Sequence, residues 1–126
     1  MIRYRYTTAL TPPAPVVNVT LVCPTTGKRL EIQPAQIDTG ADCTVLPGAT
    51  VTALGLVEDG RLQIQGFTGK VVELPVFLVD VHVHDLPAVA VRAVLGEDDR
   101  LIILGRDVLN AHRIVLDGPG LALEIG

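Results

Sequence analysis

Apolar residues recur along this chain mostly at every second position, and turn-forming residues interrupt them at short intervals. That combination predicts many short strands. VVNVTLV (16–22) alternates, breaks at the Pro- and Gly-containing CPTTGK, and resumes as RLEIQ (29–33), the pattern of a hairpin. A first strand is expected at 2–6, followed by the stiff connector TPPAP (11–15), whose prolines oppose ladder pairing. A longer hairpin is expected with arms Arg61–Gln65 and Lys70–Val79 and the tip Gly66-Phe67-Thr68-Gly69, where two glycines allow a sharp reversal. PAVAVRAVL (87–95) and RLIIL (100–104) read as buried strands, and GRDVLNAH (105–112) as one or two helical turns. RIVLD and LALEI (121–125) are short strands separated by GPG. The expectation is an all-β fold with one or two short helices, occupying 1–126 as a single domain.

Composition narrows the function classes. Hydrophobic residues make up 48% of 126 residues, mostly Val, Leu, Ala and Ile, with no Trp and two Phe. A chain this short buries a modest share of its surface, so surplus apolar residues favour an oligomer. The net charge of −4, with acids and bases interspersed, argues against a nucleic-acid partner. No apolar run approaches the roughly 18 residues of a membrane span, and MIRYRYTTAL leads into no signal-peptide core, so neither a membrane partner nor export is expected. Cys23 and Cys43 lack zinc-site or disulfide-framework spacing and are expected as free thiols in a reducing, cytoplasmic setting.

Two segments share a shape. AQIDTGADCTVL and LIILGRDVLNAH each run from an apolar strand through a glycine to an acid and then Val-Leu. In the first, strand alternation puts Gln36 on the face of Asp38, and Ala35 and Ile37 on the other. Thr39 can bond nearby backbone, and Gly40 permits a conformation that a Cβ would hinder. A bare Asp-Thr-Gly reads first as an Asx turn whose acid caps backbone amides.

IDTGADCTVLP (37–47), the glycine-tipped hairpin (61–79) and LIILGRDVLN (101–110), in that order, resemble the retropepsin-like family of single-domain aspartic proteases. The resemblance implies an all-β, closed barrel-like acid protease fold with a flap hairpin. It implies that Asp38 is the catalytic aspartate, with Thr39 interlocking at the base of the site and Gly40 presenting its carbonyl to substrate. Gln36, Ala41, Asp42, Cys43, Gly66, Phe67, Thr68, Gly69, Leu101 and Ile103 become candidate substrate contacts, with Val45 as a further pocket wall. Asp42 is expected to pair with Arg106, partly buried, so that the arginine keeps the carboxylate ionised. No cofactor or metal is implied.

The chemistry of such enzymes needs two carboxylates, and the sequence holds one Asp-Thr-Gly. The other Asp-Gly pairs, at 59–60 and 117–118, lack the apolar lead-in and the Thr. A working site therefore calls for an isologous homodimer with its twofold axis between two copies of Asp38, acting on extended polypeptides. MIRYRY and LALEIG are the strands available for a dimer sheet. The alternative is a non-catalytic peptide-binding or assembly module that keeps the fold. His82 and His84, two apart in VDVHVHD, lack a third ligand and are read as strand histidines. His112 is read as a C-terminal cap of the short helix.

Overall fold

The computed structural model describes residues 1–66, 68–97 and 101–126. The alternating segments form strands, and their alternation becomes the inside and outside of a barrel. β1 (Ile2–Arg5) is followed by β2 (Val16–Val22), β3 (Arg29–Ile37) and the two-residue β4 (Val45–Leu46). Helix α1 (Gly48–Leu54) leads to β5 (Glu58–Gln65), β6 (Val71–Val83), β7 (Val89–Leu95) and β8 (Ile102–Leu104). Helix α2 (Arg106–Leu109), β9 (Ile114–Asp117) and β10 (Ala122–Ile125) complete the chain.

The main sheet runs β2-β3-β8-β4-β7-β6-β5, and an additional β2–β6 pairing joins its ends into a closed six-stranded barrel, with β5 extending from β6. Closure removes the edges that an open sheet would leave unpaired. Val17, Val19 and Leu21 of β2, Val79, Val81 and Val83 of β6, and Ile102 and Leu104 of β8 are nearly or fully buried inside it. Each such side chain contributes about 1.5–3 kcal/mol of hydrophobic stabilisation.

β3 is longer than the expected arm at 29–33 because it continues through Pro34 to the start of the Asp-Thr-Gly turn. The proline is tolerated for a local reason. Ile37 donates to Pro15 on the β2 side (3.0 Å), whereas Asp38 donates to Leu104 on the β8 side (3.1 Å). By alternation the nitrogen of Pro34 faces the β8 side, where pairing begins only at Ala35. The connector that follows β1 is likewise bridged, through Thr7 and Ala14.

The second sheet is small, three-stranded and antiparallel, in the order β1-β10-β9. The terminal strands named above as available for a dimer sheet pair with each other within the chain, Ile2 opposite Ile125 and Arg5 opposite Ala122.

Candidate active site

The two segments of similar sequence lie side by side. β3 and β8 pair in parallel, Ala35 with Ile102, Gln36 with Ile103 and Ile37 with Leu104, and both chains then turn at the same level. Their turns lock together: Asp38 donates its backbone N–H to Leu104, and Arg106 donates its own to Ala41 (2.9 Å).

Gly105 makes this contact possible. Its φ of −87° is open to any residue, so backbone freedom is not the reason for glycine. A Cβ at this position would lie 2.5 Å from the carbonyl carbon of Cys43 and 2.6 Å from its oxygen. Only a residue without a side chain lets the two backbones pass.

Asp107 then holds the far side of the first turn. Its carboxylate accepts the Thr44 backbone N–H (2.9 Å), the Thr44 hydroxyl (2.7 Å) and the Val108 N–H (2.9 Å). Thr44 is fully buried, the one buried polar side chain among the described residues, and Asp107 satisfies it. Gly105 also donates to the Thr44 hydroxyl (3.3 Å). Sequence reasoning singled out neither Thr44 nor Asp107. The available signal was the acid of GRD, which follows the glycine as Asp38 follows its strand.

Arg106 reaches across the outside. It donates to the Thr39 carbonyl (2.7 Å) and pairs with the Asp42 carboxylate, so one guanidinium spans the whole Thr-Gly-Ala-Asp loop. The pairing joins the two residues expected to meet, but its setting differs from the expectation. The Asp42 side chain is 80% exposed and that of Arg106 44%, so water, not a buried environment, surrounds the charges in the single chain. The reason is that Asp42 sits on the rim of the loop, pointing away from the core that Thr44 enters.

Asp38 itself follows β3 directly, on the face opposite the buried Ala35 and Ile37, as alternation requires. One carboxylate oxygen accepts the Gly40 N–H (2.9 Å), and the Asp38 carbonyl accepts the Ala41 N–H (3.2 Å). A Cβ on Gly40 would approach that carboxylate oxygen to 3.2 Å, so the glycine leaves the acid room. The Asx turn and a chemically available acid are therefore the same object.

Two clefts flank it. The larger, about 710 Å³, lies between the loop Gly40–Cys43 and the β5/β6 hairpin, whose Leu62, Ile64 and Leu74 line it. These apolar residues pair across the hairpin, Leu62 with Leu74 and Ile64 with Val72, which gives the flap one apolar face. The smaller, about 480 Å³, is lined by Gln36, Leu101, Ile103, Leu10 and Glu97, and Val45 and Gly96 border both. Ala41, Asp42, Cys43 and Gly66 thus face the first cleft, and Gln36, Leu101 and Ile103 the second. Thr68 and Gly69 line neither; they form the hairpin tip, where Gly66 donates to Lys70 (3.1 Å) and Gly69, at φ +80°, donates back to Gly66 (3.0 Å). Phe67 lies outside the described residues.

Cys43 is free, as is Cys23. Burial raises the Cys43 pKa, and the nearby Asp107 and Asp42 charges add to the effect, so its thiol stays protonated. His82 and His84 do not converge. β6 ends at Val83, His82 Nδ1 lies 3.1 Å from the Leu86 carbonyl, and His84, at φ +53°, bonds Asp85 (2.9 Å). No cluster of three metal-ligating side chains exists among the described residues. His112 does not cap α2 with its ring: its backbone N–H bonds Leu109 (3.1 Å), while its Nε2 is buried without a partner. Burial lowers its pKa, favouring the neutral ring. Among the described residues, no helix is long and apolar enough to cross a membrane.

No curated protein matches this sequence. Among solved structures, a retropepsin-like aspartic protease from Rickettsia conorii superposes with a TM-score of 0.64 at 13% identity, over 99% of this chain and 91% of that one. The EIAV protease in complex with the inhibitor HBY-793 is 26% identical, with a TM-score of 0.55 over 78% of this chain and 86% of that one. The retroviral protease-like domain of Ddi1 from Leishmania major is 20% identical, with a TM-score of 0.53 over 87% of each chain. Residues 27–111, which contain both turns and the flap hairpin, match the family described as "gag-polyprotein putative aspartyl protease". That match covers well over half of the chain, and with the barrel and its paired turns it shows that this protein belongs to the retropepsin-like aspartic protease family.

Proposed function

We propose that the chain is half of an aspartic endopeptidase, completed by a second copy that contributes its own Asp38. The observation that carries this reading is the contrast in how the acids of the two turns are held. Asp107 and Asp42 are bonded to Thr44 and Arg106, whereas among the described residues Asp38 accepts a side-chain hydrogen bond only within its own turn, from Gly40. Asp38 sits between Gln36 and Gly40, which line different clefts.

Two such carboxylates across a twofold axis share one proton, as is known for aspartic proteases as a class. The ionised one removes a proton from a water whose oxygen attacks the peptide carbonyl carbon. The protonated one gives its proton to the carbonyl oxygen. Collapse of the tetrahedral intermediate breaks the C–N bond, the nitrogen leaves with a proton, and the pair returns to its starting state. The cleft under the flap and the smaller one beside it suit an extended peptide held by main-chain hydrogen bonds with side chains in alternating pockets. Gln36 makes the smaller cleft more polar than an aliphatic residue would. Asp42, at the rim, would meet the peptide backbone in this reading.

The test is a diverse peptide library incubated with wild type and with Asp38→Asn. Cleavage by wild type alone is expected. Cleavage by both, or by neither from acidic to neutral pH, overturns the enzyme reading, and binding of uncleaved peptides would then point to a peptide-binding module.

A further inference from the structure

The two clefts beside Asp38 differ in how their charge is balanced. Among the described residues each is lined by one charged side chain, Asp42 in the larger and Glu97 in the smaller. Asp42 is answered within the chain by Arg106. Glu97 is exposed and makes no ion pair among the described residues.

The rest of the smaller cleft limits what could answer that charge. Leu10, Val45, Leu101 and Ile103 give it apolar walls, and Gln36 adds an amide. Among the described residues the Gln36 side chain makes no hydrogen bond, so its carbonyl oxygen is open to a donor. The space, about 480 Å³, is ample for one long side chain. Apolar walls with an acid and an amide suit a hydrocarbon stem that ends in a cation, the build of lysine and arginine. An aliphatic side chain would cover the walls and leave Glu97 unanswered. An acidic one would meet a like charge.

The strand fixes where along a substrate this choice is made. Gln36 shares a strand face with Asp38 two residues on, a separation of about 7 Å at the usual rise. An extended peptide has the same rise, so the side chain entering the cleft belongs to a residue close to the scissile bond. We propose that the smaller cleft selects a lysine or arginine of the substrate, within about two residues of the bond to be cut, with Glu97 as the specificity-determining acid. The inference rests on the protease reading above and names its substrate class, extended peptides with a basic residue beside the cleavage point.

The test is a set of peptides of one fixed sequence, with lysine, norleucine or glutamate placed at each position in turn. Norleucine keeps the four-carbon stem of lysine and drops the charge. Ratios of kcat/KM are read within one protein, so differences in folded fraction between variants cancel. At the preferred position wild type is expected to favour lysine over norleucine about fivefold at low salt, and norleucine over glutamate by a similar factor. Both ratios should shrink in about 0.5 M salt. Glu97→Gln is expected to bring them close to one, and Glu97→Lys to favour glutamate over lysine. Cleavage without a lysine preference, or a preference that survives Glu97→Gln, overturns the specificity and leaves the protease reading standing. If no peptide is cleaved, the protease reading fails, and fluorescence anisotropy of the same labelled peptides decides the cleft. Tighter binding of the lysine peptides that is lost in Glu97→Gln upholds its selectivity; equal binding, or none, overturns it.

Discussion

Two turns of one sequence shape lie against each other in this barrel, and they treat their acids in opposite ways. Asp107 is engaged by three hydrogen bonds and serves the core through Thr44. The Asp38 carboxylate receives one among the described residues, from its own turn, and faces away from the core. The first acid holds structure because its bonds reach a buried group 63 residues away; the second makes no such link, which is what the proposed function asks of it. Asp38 precedes the glycine of its turn and Asp107 follows that of its own, and the proposed function assigns the chemistry to the acid that is not tied to the core.

The strongest way to break this arrangement is at the contact between the turns. Gly105→Ala drives a Cβ into the backbone of Cys43, where no side-chain rotation relieves it. Denaturant unfolding is expected to show a loss of about 3 kcal/mol or more, or no folded protein at all. A loss below about 1 kcal/mol would mean that the turns can separate without cost.

The contrast between the acids gives the next effect. Asp107→Ala leaves the Thr44 N–H and hydroxyl buried without their acceptor, and about 2–4 kcal/mol of stability should go with them. Asp38→Ala removes only a local turn bond and is expected to cost about 1 kcal/mol or less. Equal losses in the two variants would erase the distinction drawn here.

Much of this arrangement was legible in the sequence, for identifiable reasons. Period-two alternation announced the strands because a barrel wall has one buried face, and the Asp-Thr-Gly and Gly-Arg-Asp segments stood out by their apolar lead-ins. Helix α1 was not foreseen. Its Gly48–Leu54 sequence is short, carries β-branched Thr50, Val51 and Thr52, and has no side-chain cap, so packing of Val51 and Leu54 decides it. The signals present were Pro47 before it and the left-handed Gly55 (φ +62°) after it. The Thr44–Asp107 link and the demand for Gly105 were hidden because both depend on how closely two distant backbones approach. The Asp42–Arg106 pair was visible, but its exposure was not, since burial of a rim residue is a tertiary property.

That exposure sets the third expectation. Arg106→Ala removes a guanidinium that spans the loop, but in water the ion pair contributes little, so stability should fall by about 1 kcal/mol or less in the single chain. A much larger loss at high salt, where exposed pairs are screened, would show that the pair acts as a buried one.

The smallest effect concerns His112, beyond α2. Burial lowers its pKa in the folded chain from an ordinary value of 6.5. Below that pH the unfolded chain takes up a proton that the folded one resists, so this histidine's effect on stability is to reduce it as pH falls through about 6.5. His112→Leu should flatten the slope of stability against pH between about 7 and 5, measured by thermal melts at each pH. An unchanged slope would assign the acid sensitivity to other groups.

The central claim is that Asp38 is half of a site, and subunit mixing tests it most directly. Asp38→Asn chain is added in equal amount to a fixed quantity of wild type, exchanged to equilibrium, and peptide cleavage is measured. If each site needs an Asp38 from both copies, random pairing puts half of the wild-type chains into dead dimers, and activity falls to about half. Cleavage that stays unchanged, with subunit exchange verified, would show that one chain carries the whole site and would contradict the account.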